Sequence, residues 1–352
     1  DLPLIQGLDD GSLMKAILSP METTVQGIEW RGDESDEKRV LQAVEYLLEH
    51  GAERLVVAIS KDAEEIERRI KRIILNEYPR HILGALPILF STELSSDPDI
   101  SRRTATAVLN AYLHPSLEHF LYNAEDLLRG FRYKKPLFIF SNDGTSNRVA
   151  KVTALKTYNS GPAGGLEGAA NLARHYGLDR VVTIDIGGTS TDLSFNLNGR
   201  IEEQNPGEID GTEVSLPLRK IVPLGGGGGT IARVRDGKFQ LGPESAGAAP
   251  GPACFGFGGT DATVTDANVV CGYFKPDAVL AGQVTIDGKR AENAVKIKVA
   301  DPLGLSVEEA ALLIRETLEK RIGQAIRNRI EERGLHPGQF TLMAFGGAGP
   351  VH

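Results

Sequence analysis

The chain is built around Val182-Thr-Ile-Asp-Ile-Gly-Gly-Thr-Ser-Thr-Asp-Leu-Ser-Phe195, an apolar run that leads through an aspartate and two glycines into a second run. A dinucleotide-binding turn or a P-loop needs a helix directly after its glycines, with the phosphate at the helix N-terminus. Here the following residues alternate like a strand and reach the turn signal Asn198-Gly199. The segment therefore predicts a strand–turn–strand hairpin whose tip can bind phosphate oxygens through backbone N–H groups.

Asp185 lies where the first strand of this hairpin should end. A carboxylate at such a position can hold Mg2+ through water, or it can orient an attacking water molecule. The same pattern also fits a tight hairpin with an incidental aspartate, because short Gly-Gly turns are common. The hairpin alone leaves both interpretations open.

Three further glycine clusters separate apolar segments of the chain. Ser160-Gly-Pro-Ala-Gly-Gly165 precedes a predicted helix, so its amides could form an anion site at the helix N-terminus. Gly225–Gly229 predicts a flexible segment, with a mobile surface loop as the alternative interpretation. Phe345-Gly-Gly-Ala-Gly-Pro350 ends a strand in glycines, which suits close approach to a nucleotide base or ribose.

Residues 242–256 are rich in glycine and proline and carry one charged side chain, Glu244. Such a segment is typical either of the wall of a closed site or of an unusual surface loop. A lone carboxylate in apolar surroundings would have a raised pKa and could act in proton transfer. Cys254 in the same segment is better explained as a small buried residue than as a nucleophile.

Helix and strand signals alternate along the rest of the chain, which predicts an α/β protein. They alternate between residues 36 and 91, and residues 102–128 predict a helix that is interrupted near Pro115. Ser306 and Glu309 form a capping-box pattern that opens a long helix. We predict one α/β domain in residues 1–150 and a second one in residues 151–352.

Composition excludes several classes of protein. The net charge of -8 over 352 residues leaves no basic block for nucleic acid. No apolar run approaches the roughly 20 residues of a membrane span. Cys254 and Cys271 are too few for a disulfide framework and indicate a reducing, cytoplasmic location. The chain lacks the CxxC or His-rich spacing that predicts a zinc site.

Six motifs in a fixed order resemble the hydantoinase A/5-oxoprolinase family. They are SGPAGG at 160–165, DIGGTSTD at 185–192, GGGGGTIA at 225–232, GPESAGAAPGPACFG at 242–256, TVTDAN at 263–268 and FGGAGPVH at 345–352. The resemblance covers roughly residues 91–352 and includes Arg103-Thr-Ala-Thr-Ala-Val-Leu-Asn-Ala-Tyr112. Ser141–Ser146 and Tyr78–His81 look more like the ketone-carboxylase branch of the family, to a slight degree.

The resemblance implies an actin-like ATPase fold of the ribonuclease H-like kind, with mixed sheets flanked by helices. It also implies ATP as cofactor with Mg2+ or Mn2+, and a small carbonyl compound as substrate. The positions that carry these roles here are Asp185 and Glu244 as catalytic residues, Asp185 and Asp266 as metal ligands, and Gly187, Gly188, Thr189, Thr191, Gly225, Gly226, Gly346 and Gly347 as cofactor-binding residues.

One departure from the family pattern affects how complete the site should be. Family members usually begin with a separate Gly-Gly-Thr phosphate hairpin and continue well past the GGAGP motif. Nothing before Asp36 resembles that hairpin, so we expect a chain incomplete at both ends that works with a hydantoinase B-type partner subunit or further chain segments. A non-catalytic actin- or chaperone-like ATPase and a sugar-kinase-like phosphotransferase remain as alternatives, because one fold hosts all three.

Overall fold

The structure is a computed structural model that describes residues 4–5, 24–79, 86–275, 277–280, 282 and 284–352. It forms two compact units, Asp1–Ala163 with Glu203–Arg219, and Gly164–Glu202 with Lys220–His352. The predicted division after residue 150 differs from this one, because the first unit extends further and residues 203–219 return to it. In the described ranges, no helix combines the length and the apolar character needed to cross a membrane.

Helices and short strands alternate over most of residues 35–176, and residues 180–245 form consecutive strands without an intervening helix. The helices are α1 (Ser35–Glu49), α2 (Ala63–Glu77), α3 (Ser91–Leu94), α4 (Ile100–Gly130), α5 (Ser160–Tyr176), α6 (Val264–Val270), α7 (Gly288–Val295), α8 (Asp301–Leu303) and α9 (Val307–Glu331), with a π-helical turn at Lys296–Ala300. The strands are β1 (Leu4–Ile5), β2 (Leu55–Ala58), β3 (Ile88–Phe90), β4 (Phe138–Phe140), β5 (Ser146–Arg148), β6 (Arg180–Ile186), β7 (Ser190–Leu197), β8 (Arg200–Ile201), β9 (Glu203–Gln204), β10 (Gly207–Ile209), β11 (Thr212–Val214), β12 (Leu218–Arg219), β13 (Val222–Gly225), β14 (Thr230–Arg235), β15 (Lys238–Ser245), β16 (Ala262–Thr263), β17 (Val279–Leu280), β18 (Val284–Thr285) and β19 (Thr341–Phe345).

The first unit contains a parallel sheet in the order β1-β2-β3. All of β2 is buried, as expected for a parallel strand that is covered on both faces. The helix α4 runs without interruption through Pro115, so the predicted break there is wrong. Proline removes one backbone donor from a helix, and here the surrounding turns continue across that gap. Part of the Tyr78–His81 segment lies outside the described residues.

The second unit is built on a five-stranded mixed sheet in which β13, β7, β6 and β19 lie side by side and β8 pairs with β7. β6 pairs antiparallel with β7 and parallel with β19. Val182, Ile184 and Leu193 belong to one buried core with Ile314 and Leu318 of α9. Because side chains alternate across a strand, Asp185 projects from the opposite face of β6 to Ile184.

The long helix α9 is set by its N-terminal cap, as the sequence predicts. The Ser306 hydroxyl accepts a hydrogen bond from the Glu309 amide, and the Glu309 carboxylate accepts one from the Ser306 amide. Mixed sheets flanked by helices confirm the predicted α/β class. The described part of the second unit therefore has the layered core that holds the hairpin β6–β7 in place.

Candidate functional site

The segment at residues 182–195 forms the predicted hairpin. β6 and β7 pair from Arg180 opposite Leu197 to Ile186 opposite Thr191. The turn is closed by a hydrogen bond of 2.9 Å from the Gly187 amide to the Ser190 carbonyl. In the described structure the amides of Gly188 and Thr189 donate to no other group, which leaves two adjacent N–H groups at the tip. Adjacent free amides of this kind favour anions such as phosphate.

Asp185 and Asp192 lie directly opposite each other on β6 and β7. Burial raises the pKa of the Asp185 carboxyl. Burial also raises the pKa of the Asp192 carboxyl, and the neighbouring Asp185 charge adds to that increase. Within the described ranges, neither carboxylate has a hydrogen-bond donor or a cation as partner. The pair is thus a concentrated negative charge that has been partly removed from water.

The turn after β19 lies against this pair. A Cβ atom placed on Gly346 would be 2.1 Å from Asp185 Oδ1 and 2.8 Å from the Ile186 carbonyl, so only glycine fits there. The Ala348 amide donates to the same carbonyl at 2.9 Å. Gly347 has open space where a side chain would be. Asp185 and the Gly346–Gly347 turn therefore lie next to each other, at the ends of the neighbouring strands β6 and β19.

The Gly225–Gly229 segment is a packed wall, so the mobile-loop alternative is wrong. Gly225 ends β13 opposite Ser190, and the four glycines after it are buried. The Gly228 amide donates to the Gly187 carbonyl at 2.9 Å, and the Gly229 amide donates to the Gly188 carbonyl at 2.5 Å. A Cβ atom on Gly227 would be 2.6 Å from the Gly187 carbonyl. Glycine here permits close backbone packing against the hairpin turn.

Thr191 holds the start of this wall. Its buried hydroxyl donates a hydrogen bond of 2.6 Å to the Gly226 carbonyl. The Gly227 amide in turn donates to the Thr230 hydroxyl at 2.7 Å. The structure thus brings Thr191, Gly225 and Gly226 to the site, where their backbone and hydroxyl groups bind one another. Direct contact of these residues with a cofactor stays a prediction.

Glu244 does not have the surroundings that its sequence context indicates. The expectation of a lone carboxylate among apolar groups is wrong, because the side chain is 50% exposed and pairs with Arg233 at 3.1 Å. Both residues lie on the hairpin formed by β14 and β15. Arg233 lies on the facing strand, directly after the GGGGGTIA motif, and the sequence spacing gave no indication of that pairing. A catalytic role for Glu244 stays a prediction.

Asp266 is buried in the N-terminal capping box of α6. Its carboxylate accepts hydrogen bonds from the Cys254 amide at 2.8 Å, the Thr263 amide at 2.9 Å and the Thr263 hydroxyl at 2.7 Å. Burial raises the pKa of this carboxyl, and those hydrogen bonds oppose the increase. This geometry gives Asp266 a structural function, since its oxygens are already occupied. Its role as a metal ligand stays a prediction.

The SGPAGG motif also differs from its expected position. It forms the first turns of α5, which begins at Ser160, instead of preceding the helix. A Cβ atom on Gly165 would be 2.4 Å from the Phe345 ring, so this glycine lets the helix approach the end of β19. In the region described, no cluster of three or more His, Cys, Asp or Glu side chains is arranged to hold a metal ion.

Asp192 was not among the predicted site residues, although the register of the predicted hairpin was enough to identify it. In a hairpin with its turn at residues 187–189, pairing in register puts Asp192 opposite Asp185. The structure therefore adds a second carboxylate to the candidate site.

Fold and site together define a mixed α/β protein with a carboxylate pair enclosed by glycine-rich turns. The chain belongs to the hydantoinase/oxoprolinase family, whose sequence model matches residues 103–352. It is 38% identical over 322 residues to the acetophenone carboxylase gamma subunit of Aromatoleum aromaticum, covering 90% of this chain and 44% of that protein. It is 37% identical over 253 residues to the caprolactamase subunit alpha of Pseudomonas jessenii, covering 71% and 36%.

A nucleotide-free structure of acetone carboxylase, described as part of a study of ATP-dependent acetone carboxylation, matches all of this chain with a TM-score of 0.78. The two are 28% identical, and the match covers 54% of the carboxylase chain. This chain thus spans about half the length, or less, of the relatives that it matches.

Proposed function

We propose that this chain is the ATP-handling part of an enzyme that phosphorylates a small carbonyl compound, either for hydrolysis of a cyclic amide or for carboxylation of a ketone. The names of the relatives support this range, because they include a caprolactamase and ketone carboxylases. Two of them are named as subunits gamma and alpha, which supports a partner subunit of the hydantoinase B type.

The observation that carries the proposal is the Asp185–Asp192 pair beside the free amides of Gly188 and Thr189. Amides at the hairpin tip suit phosphate oxygens, and carboxylates suit a divalent cation. Mg2+ or Mn2+ fits this set of donors, because such ions are bound by one or two carboxylates together with substrate phosphates. When bound, the ion would neutralise charge on the phosphate groups.

The residues of the chain then serve to position the reactants. Cyclic amides are poor electrophiles and ketones are weak carbon acids. Transfer of the γ-phosphoryl group to the carbonyl oxygen releases ADP, and loss of the amide N–H or α C–H proton to a base then gives a phosphorylated imidate for hydrolysis or an enol phosphate for carboxylation. Such transfer depends on in-line placement and on neutralisation of spread charge. The closely packed walls at Gly226–Gly229 and Gly346 support a rigid site from which bulk water is partly excluded.

The test is an ATPase and product screen of the full-length protein with its partner subunits. Hydantoins, 5-oxoproline, lactams and ketones are supplied one at a time, and ADP, phosphate and the organic product are measured. We expect ATP cleavage that depends on one of these compounds and a matching organic product. ATP cleavage that no carbonyl compound affects would favour the non-catalytic ATPase instead.

A further inference from the structure

Four side chains form a closed hydrogen-bonded ring next to the end of the β19 turn. Arg315 Nη1 donates to Asn268 Oδ1 at 2.9 Å, and Asn268 Nδ2 lies 3.1 Å from His352 Nε2. His352 Nδ1 lies 3.3 Å from Glu319 Oε1, which is 2.7 Å from Arg315 Nη2. Asn268 is 1% exposed, Arg315 is 7% exposed and the His352 side chain is 2% exposed.

The donors and acceptors of this ring fix the protonation of His352. Arginine has no acceptor, so the Asn268 atom that faces Arg315 must be the amide oxygen. The Asn268 atom that faces His352 is then the NH2 group, which can only donate. His352 Nε2 must therefore accept and carry no proton, and the proton of the neutral ring lies on Nδ1, facing the Glu319 carboxylate.

A proton added to His352 Nε2 would break the hydrogen-bonded ring between His352 and Asn268. It would place an N–H group against the NH2 group of Asn268, and it would create a second cation beside Arg315 for the single carboxylate of Glu319. Burial lowers the pKa of His352, the Arg315 charge lowers it further, and Glu319 opposes both. Cys271 and Tyr273, which follow the last residue of α6, face Arg315 and complete the surroundings.

The ring is connected to the candidate site through the backbone. Arg315 Nη2 donates to the Val351 carbonyl at 2.5 Å. The Val351 amide donates to the Ala348 carbonyl at 3.0 Å, and the Ala348 amide donates to the Ile186 carbonyl at 2.9 Å, next to Asp185. The position of the Gly346–Gly349 turn is thereby linked to α6 and α9.

We propose that His352 is a proton-sensitive positioning residue, whose neutral ring holds the Gly346–Gly349 turn against the Asp185 carboxylate and whose protonation releases it. The inference rests on the proposed function in one respect, because that function makes the turn part of a nucleotide site. The expected effect is weaker nucleotide binding at acidic pH, by on the order of tenfold when one buried hydrogen-bond link is lost.

The first experiment needs no nucleotide. In the full-length protein with labelled histidines, the His352 ring signals are assigned by their loss in His352→Gln and are followed through a pH titration by NMR. We expect His352 to titrate below the ordinary value of 6.5. Asn268→Asp replaces the NH2 group by a carboxylate oxygen that favours a protonated ring, so it should raise the midpoint. A midpoint at or above 6.5 in the unaltered protein, or no increase in Asn268→Asp, overturns the proposal.

The second experiment measures nucleotide affinity at about pH 7.5 and about pH 5.5, on either side of the ordinary histidine pKa. His352→Gln keeps an acceptor for Asn268 and cannot take up a proton, so its affinity should stay constant while that of the unaltered protein falls. His175→Gln, at an exposed histidine of α5, is the matched control and should keep the fall. Equal pH dependence in the unaltered protein and His352→Gln overturns the proposal. Complete absence of nucleotide binding contradicts the proposed function instead, and the NMR titration still decides the role of His352.

Discussion

Asp185 and Asp192 oppose folding at neutral pH. A carboxyl group whose pKa is raised on folding binds its proton more tightly in the folded state. The contribution of each carboxyl to stability is therefore most favourable below its ordinary pKa of 3.8. It becomes less favourable as the pH rises toward the raised pKa of the folded state, and above that pKa the destabilisation stays constant. Two opposed carboxylates that have no counter-charge among the described residues are costly to the fold, and such costs are typical of functional sites.

We expect Asp192→Asn to raise Tm at about pH 7 by roughly a few °C, because it removes one of two repelling charges without changing side-chain volume. The gain should shrink as the pH falls through the raised pKa of the native carboxyl, because that group then becomes protonated and loses its charge. The measurement is thermal unfolding against pH. Asp236→Asn, in an exposed hairpin turn at φ 51°, is the control and should leave Tm nearly constant. A lower Tm for Asp192→Asn at neutral pH would show that the carboxylate has a stabilising partner.

Asp185→Asn separates a catalytic carboxylate from a structural turn residue. If the charge positions a metal ion or a water molecule, kcat should fall on the order of 10²-fold or more while the protein stays folded. If Asp185 only supports the hairpin, asparagine should serve equally well. Turnover and Tm are measured on the same preparation of the complete enzyme, with Asp236→Asn again as the control. Unchanged turnover would remove Asp185 from the catalytic residues.

Gly346 and Gly347 are adjacent and should respond differently to the same added methyl group. Gly346 has φ 86°, and a Cβ atom there would overlap the Asp185 carboxylate, whereas Gly347 has open space. We expect Gly346→Ala to cost about 1–3 kcal/mol of stability through backbone strain and displacement of the turn. Gly347→Ala should change Tm little. Thermal unfolding of the two variants is the test, and equal Tm values would mean that the turn relaxes easily away from Asp185.

At the scale of elements, the sequence predicts best where local chemistry decides the structure. The hairpin at 182–195 follows from alternation and turn residues, and the start of α9 follows from the Ser306–Glu309 capping box. The wall at Gly226–Gly229 could not be predicted, because its order comes from hydrogen bonds to a turn about forty residues earlier. The same limit applies to Glu244, whose partner lies on the opposite strand of its hairpin.

Thr191 tests whether that wall depends on one side-chain hydrogen bond. Thr191→Val preserves the branched shape and removes the hydroxyl that donates to the buried Gly226 carbonyl. An unpaired buried carbonyl should cost about 1–3 kcal/mol and lower Tm accordingly. Thr212→Val, at a partly exposed strand position of the first unit, is a control for the general effect of the substitution. Equal effects of the two substitutions would mean that backbone packing alone holds the wall.

At the scale of the whole molecule, charge is the property that joins fold and proposed function. The chain carries a net charge of -8, and its candidate phosphate site contains two carboxylates that have no cation partner within the described structure. ATP is itself highly anionic, so binding without a divalent ion would bring like charges together in a partly desolvated place. The free amides of Gly188 and Thr189 offset only part of that repulsion.

We therefore expect nucleotide binding that depends strongly on Mg2+ or Mn2+. By calorimetry, ATP with a chelator should bind the 352-residue chain much more weakly than MgATP, because the ion neutralises the repulsion between the phosphates and the two carboxylates. Asp192→Asn should reduce the dependence on the divalent ion, since it removes the repulsion that the ion relieves, whereas Asp236→Asn should not. Tight binding of ATP in the presence of chelator would contradict the assignment of this carboxylate pair to a metal–phosphate site.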